Sequence, residues 1–242
     1  MPVVVVDGAG ARGRERMERH HFEAELQALR NQLLRMGGLV EERVHRAVQS
    51  LVARREEEAR RVIATDAEVN ELQMDIDDRC LRLLATQAPL AGDLRLITSA
   101  MKINADLERV GDQAVNVAEN ALTLISLPPL KPLIDIPRMA QVAEKMIRDA
   151  LDAFVKKDAA LARDVLGRDD EVDDLKDQVF RELLTYMMAD PGTIQRALAL
   201  ILVSRNLERI ADHATNIAED VIFIAEARDV RHHALEQGAH RR

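Results

Sequence analysis

Apolar residues recur along this chain every three or four positions, and outside the first residues no segment alternates apolar with polar over the length of a strand. Leu26, Leu29, Leu33, Met36, Val40, Val44, Val48 and Leu51 keep a spacing near 3.5 and predict one long helix over residues 18–53. The charged stretch 54–58 predicts a bend. Val62, Val69, Leu72, Ile76, Leu83 and Leu84 predict a second helix reaching residue 86. Pro89 and Gly92 then interrupt the pattern, and Asp93 is the expected N-cap of a third helix over 93–126. Residues 127–137 hold four prolines (Pro128, Pro129, Pro132 and Pro137), the clearest boundary in the chain. Beyond it the pattern returns over 138–155, 159–189 and 193–227. Short connections make successive helices antiparallel neighbours. The expected fold is all-α, built from two tandem, similar three-helix bundles. Gly37 and Gly38 interrupt the first helix at a cost of about 1 kcal/mol each relative to Ala, which predicts a close helix approach there.

The two halves are copies of one unit. Residues 107–119 read LERVGDQAVNVAE and residues 207–219 read LERIADHATNIAE, with eight of thirteen positions identical. Most of the identical positions are polar, so packing alone does not account for them. Upstream, at a constant offset of 103, Met36 falls on Met139, Glu41 on Glu144, Ala59 on Ala162, Asp66 on Asp169 and Leu72 on Leu175. The offset drops to 100 at the LER segments because the second interhelical loop is three residues shorter. The domain plan that follows is a flexible N-terminal extension (1–17), a first bundle (18–127), a Pro-rich linker (128–137), a second bundle (138–227) and a C-terminal tail (228–242). Cutting the linker is expected to release two helical halves. Met17 is a candidate translation start.

Composition narrows the class. The chain has no Trp, one Tyr and four Phe, so Leu, Val, Ile, Ala and Met form the core. One cysteine, Cys80, excludes an intrachain disulfide and reads as a small apolar helix residue in a reducing compartment. The longest apolar run, 197–203, is too short to cross a bilayer, which predicts a cytoplasmic protein. A net charge of −8 argues against nucleic acid as a partner. The basic clusters at 12–19 and 231–242 are terminal and read as tails.

The repeated polar residues carry the candidate chemistry. Glu108 and Asp112 are four apart, so both carboxylates share one face of the third helix; Asn116 and Glu119 continue the stripe. Folding the antiparallel helices about residue 90 sets Asp112 between Asp66 and Asn70. Folding the second copy about its loop sets Asp212 between Asp169 and Asp173, with Glu208 one turn before it. Each copy therefore places a carboxylate pair against acidic or amide side chains of the preceding helix. Such charges repel and raise each other's pKa unless they are neutralised, either by Arg109 and Arg209 or by a bound cation. Oxygen-only ligands suit hard ions such as Mg²⁺, Mn²⁺, Ca²⁺ or iron. A stripe of carboxylates on a helix is more often only a solvated face; its duplication is what raises a binding role here.

These stretches resemble the PhoU family of bacterial phosphate-signalling regulators. LRNQLLRMGGLVEE, QAPLAGDLRLITSAMKINADLERVGDQAVNVAE and LTYMMADPGTI followed by NLERIADHATNIAE stand in the order and spacing of that family over about residues 20–227, and Arg231-His232 matches its C-terminal end. The resemblance implies acidic E/DxxxD motifs that hold metal, Mg, Mn, Fe or Zn: Glu108/Asp112 and Glu208/Asp212, faced by Asp66 and by Asp169 and Asp173. Asn70 stands where the second copy has Asp173, so the first site has one charge fewer. The resemblance also implies a non-enzymatic negative regulator of phosphate uptake and of the phosphate-starvation response. Its implied partners are the phosphate ABC transporter, through the ATPase subunit, and the phosphate-sensing histidine kinase. It would sit at the inner membrane through these proteins; a homodimer is also consistent with the family. The competing class is a carboxylate metalloenzyme or metal-storage bundle, which needs Glu-x-x-His on two helices. Glu18-x-x-His21 and Glu42-x-x-His45 fit that spacing, but neither pair is repeated; these histidines and His213, which maps to Gln113, read as surface residues.

Overall fold

The computed structural model describes the backbone of residues 8–87 and 89–230, and side chains at Met17 and from His20 onward together with Arg19. The helices are α1 (Gly8–Val52), α2 (Glu56–Ala64), α3 (Asp66–Gln87), α4 (Ala91–Ile125), α5 (Asp135–Lys156), α6 (Ala159–Leu166), α7 (Asp169–Ala189) and α8 (Ile194–Glu226), with a 3-10 turn at Pro191–Thr193. No strand occurs among the described residues. Each copy is a bundle of three rods, as the periodicity predicts, but its middle rod is broken. In copy one the break is Thr65, whose hydroxyl bonds back to the carbonyls of Arg61 (3.0 Å) and Val62 (3.2 Å) and ends α2. In copy two it is Gly167-Arg168.

Several boundaries differ from the expected ones. α1 begins at Gly8 rather than residue 18; the stretch ahead of residue 18 has no apolar stripe, and its alanines, arginines, Glu15 and Met17 favour helix while Gly8, Gly10 and Gly13 oppose it. Asp93 is not the N-cap of α4; Leu90 is, and Asp93 lies in the first turn, where a carboxylate favours the helix macrodipole. Pro137 belongs to the first turn of α5 rather than to the linker, a position where a missing N–H costs nothing. The C-terminal basic cluster and Arg231-His232 lie outside the described residues.

α1 and α5 end alike. Arg54 and Lys157, equivalent in the repeat, both turn left-handed (φ 52° each). Arg54 then donates to the carbonyls of Ile125 (2.7 Å) and Leu127 (2.6 Å), capping the far end of α4. Gly37 explains itself by contact: a Cβ there would fall 2.0 Å from Leu151 Cδ1, so its absence lets α1 and α5 approach. Gly38 has nothing within 4 Å and serves no such purpose.

The bundles share one continuous core that runs from Leu26 of α1 to Val230. The most extensive packing in the molecule is between α4 of one copy and α8 of the other. Both helices bury many alanines, among them Ala114, Ala118, Ala211, Ala214 and Ala218, which allows close approach. Lys102 pairs with Asp220 (3.1 Å) while Asp106 meets His213 (2.9 Å), so the two helices run antiparallel. On the opposite side Glu41 pairs with Arg148 and Glu144 with His45 (3.4 Å). Glu41 and Glu144 are equivalent in the repeat, as are His45 and Arg148. A pseudo-two-fold axis therefore relates the copies, as in an isologous dimer. Cutting the linker would leave both halves joined through this core, contrary to the release that the repeat alone suggests.

Candidate functional site

Both acidic clusters lie in the groove between the third rod of a copy and the segment of the middle rod that follows its break. In copy two the break delivers Asp169 and Asp173 on the first turns of α7, opposite Glu208 and Asp212 of α8. Lys176, one turn along α7, donates to Asp173 Oδ1 (2.6 Å) and Glu208 Oε1 (3.1 Å). Its ammonium stays charged more firmly than usual because both carboxylates accept from it. One cation does not balance four acids. The Asp169 carboxyl is pushed up to about 6, first by burial and then by Asp212, Asp173, Asp170 and Glu208. Asp212 is raised too, by burial and then by Glu208 and Asp173, with His213 and Lys176 opposing.

In copy one, Asp66 opens α3 and faces Glu108 and Asp112 of α4. Asn70 donates to Asp66 Oδ2 (3.1 Å), where the second copy has Asp173. Burial and Asp112 raise Glu108; burial and Asp66 raise Asp112. The cation nearest Asp66 is Arg43 of α1, whose Nη1 stands 3.7 Å from Oδ1. Arg109 reaches Glu108 at 3.7 Å but is largely exposed.

The structure thus brings together all seven predicted site residues: Asp66, Glu108 and Asp112 in one cluster, Asp169, Asp173, Glu208 and Asp212 in the other. The close neutralisers are Arg43 and Lys176, neither of which the sequence reading named. Both carried a signal. Arg43 falls on an inward position, among Met36, Val40 and Ala47, and its repeat equivalent is Met146; a cation on a core stripe marks a buried charge. Lys176 is three residues past Asp173, on the same helix face.

His213 is not the surface residue that its single occurrence suggested. Its Nδ1 lies 2.9 Å from Asp106 Oδ1, which also accepts from Asn216 (3.1 Å). Glu42 and His45, which would form a metalloenzyme motif, turn apart: Glu42 to Arg46 (2.6 Å) and His45 to Glu144. Cys80 is fully buried and its thiol is pushed up to about 12, which leaves it unreactive.

The donor chemistry of both clusters fits a hard cation: oxygen atoms only, several carboxylates raised by burial and then by their acidic neighbours, and too few cations among them. As they stand, no three His, Cys, Asp or Glu side chains among the described residues converge enough to hold a metal. In copy two the Lys176 ammonium stands between Asp173 and Glu208.

A family model for the PhoU domain matches this chain twice, over residues 33–121 and 136–221. This chain belongs to the PhoU family. A phosphate-specific transport system accessory protein PhoU homolog of Pseudomonas putida is 42% identical over 223 residues, covering 90% of this chain and 87% of that protein. One from Aquifex aeolicus is 43% identical, covering 88% and 97%. The crystal structure of PhoU from Pseudomonas aeruginosa superposes with a TM-score of 0.83 at 43% identity, covering 86% of this chain and all of that one. That of the phosphate transport system regulatory protein PhoU from Streptococcus pneumoniae gives 0.80 at 29% identity. The two domain matches cover the two bundles, and each includes its ExxxD pair. A role in phosphate transport regulation follows from this membership. Among the described residues no helix is long and apolar enough to cross a membrane.

Proposed function

We propose that this protein is a non-enzymatic negative regulator of phosphate uptake and of the phosphate-starvation response. It acts in the cytoplasm by contact with the phosphate ABC transporter, through its ATPase subunit, and with the phosphate-sensing histidine kinase. The observation that carries this reading is the pairing of PhoU membership over both halves with an acidic cluster in the outer groove of each bundle, the two sharing Asp66/Asp169, Glu108/Glu208 and Asp112/Asp212. The relatives' description as accessory proteins of the phosphate-specific transport system supports the transporter as a partner.

In this reading Asp169, Asp173, Glu208 and Asp212 hold one divalent cation, and Asp66, Glu108 and Asp112 another. A bound cation would supply the positive charge that the clusters lack. Asp169 and Asp212 are raised first by burial and then by their acidic neighbours, and a cation in their groove would offset that repulsion.

Deletion of the gene tests the reading, in a strain with no second gene of this family. Alkaline phosphatase and phosphate-transporter expression should then stay high in phosphate-rich medium. Normal repression in that strain would overturn it.

A further inference from the structure

The two copies differ most sharply beside the break in the middle rod. In copy two, Arg168 reaches across to Asp149 and Asp164, pairing with both. The equivalent positions in copy one are Thr65, Arg46 and Arg61. The flanking charges are inverted, from two acids to two arginines, and the long central side chain is missing. In its place is a cavity of about 290 Å³ whose wall includes Arg43, Arg46, Arg61, Thr65, Glu42 and Glu68.

Arg43 makes this more than a surface hollow. It is 3% exposed, and its copy-two equivalent is the fully buried Met146. Its Nη2 donates to the Thr65 carbonyl, but its buried Nε and Nη1 have no hydrogen-bond acceptor among the described residues. Buried donors without acceptors are costly and rare. α3 begins immediately after Thr65, so the positive end of its macrodipole opens beside the same cavity.

We propose that this cavity binds a small tetrahedral oxyanion, which takes the place that a side chain fills in the other copy. The charge inversion fixes the sign of the guest: between two acids the second copy holds a guanidinium, and between two arginines the first holds an anion. The two carboxylates of the wall are already engaged, Glu42 with Arg46 (2.6 Å) and Glu68 facing Arg35 at 4.0 Å. Arg61 pairs with Glu57 (2.8 Å) and Glu58 (3.0 Å) on its own helix. Each pair uses only part of a guanidinium's five N–H donors, so Arg46 and Arg61 can offer the remaining ones to an oxyanion while keeping their carboxylates. A water molecule claims roughly 30 Å³ of liquid, so the cavity has room for a four-oxygen ion and part of its hydration. The site goes beyond the regulatory reading and uses none of the carboxylates assigned to metal.

Isothermal titration of the full chain with orthophosphate, in low-chloride buffer, tests it. Wild type should show saturable binding of one ion per chain, with sulfate competing. Arg61→Asp and Arg43→Met should each weaken it by about tenfold or more. The triple variant Thr65→Arg, Arg46→Asp, Arg61→Asp rebuilds the copy-two arrangement, so it should keep its helical circular dichroism and bind no phosphate. Absence of saturable binding by wild type below ~10 mM, or undiminished binding by the triple variant, would overturn the proposal. A failed titration leaves the deletion phenotype intact, and a missing phenotype leaves the titration readable.

Discussion

Lys176 of α7 donates to Glu208 of α8 at 3.1 Å, and the first copy has Gln73 in its place. The acidic clusters of the two copies are therefore neutralised by different side chains on different helices: Lys176 from within the groove in copy two, Arg43 from α1 behind it in copy one. The copies share three carboxylate positions, Asp66/Asp169, Glu108/Glu208 and Asp112/Asp212, but not the cations.

Replacing Lys176 with the glutamine of copy one removes the only lysine in the copy-two groove. Asp173 and Glu208 then face each other without a charge between them. The metal-free variant should lose about 1 kcal/mol, lowering its Tm by roughly 2–4 °C. Added Mn²⁺ should then raise Tm more than in wild type, because no ammonium competes for the same oxygens. Thermal melts with and without metal check both parts; an unchanged metal-free Tm would show that the pairing contributes nothing.

Asp169 gives the groove a pH signature. Its folded carboxyl titrates at about 6, whereas in the unfolded chain it titrates at about 3.9. The folded chain holds the proton more tightly, so ionisation works against folding. The penalty is absent below about pH 4, grows between about pH 4 and 6, and is complete above. In metal-free protein Asp169→Asn should melt higher than wild type at about pH 7.5 and at the same temperature near pH 3.5. A difference independent of pH would exclude charge repulsion as its cause.

Replacing both Asp112 and Asp212 with Ala removes one raised carboxylate from each cluster. Without metal the double variant should be at least as stable as wild type, since both groups are raised by burial and by acidic neighbours. Metal retained through chelator-free purification should fall, and in wild type the copy-one site should release its ion first, because Asn70 stands where copy two has Asp173. Elemental analysis that finds equal occupancy in variant and wild type would strike these residues from the ligand set.

The two adjacent glycines of α1 should respond in opposite senses. Gly38→Ala meets open space and should stabilise by about 0.5–1 kcal/mol through helix propensity. Gly37→Ala gains the same term but must displace the buried Leu151 side chain. Overpacking of that kind costs about 1–3 kcal/mol. Urea unfolding of the pair measures the contrast; equal stabilisation by both would mean that α1 and α5 have slack to separate.

What the sequence determined is what depends on near neighbours along the chain. Apolar spacing gives helices because a helix brings residues three and four apart onto one face. Those spacings, with the prolines around 128–137, sufficed for the all-α class, the twofold repeat and the order of the rods. The acidic grooves were legible for a related reason: a short loop forces its flanking helices antiparallel, so counting outward from it pairs Asp112 with Asp66 and Asp212 with Asp169 and Asp173. Only the tertiary structure decided contacts between residues without such a constraint. His213 and Asp106 are 107 positions apart in different copies, and nothing local announces that α4 and α8 pack together. Arg43 lies between these cases: its inward position was visible as a charge on an apolar stripe. Its neighbours, Asp66 on one side and the cavity on the other, exist only once α1, α2 and α3 have packed around it.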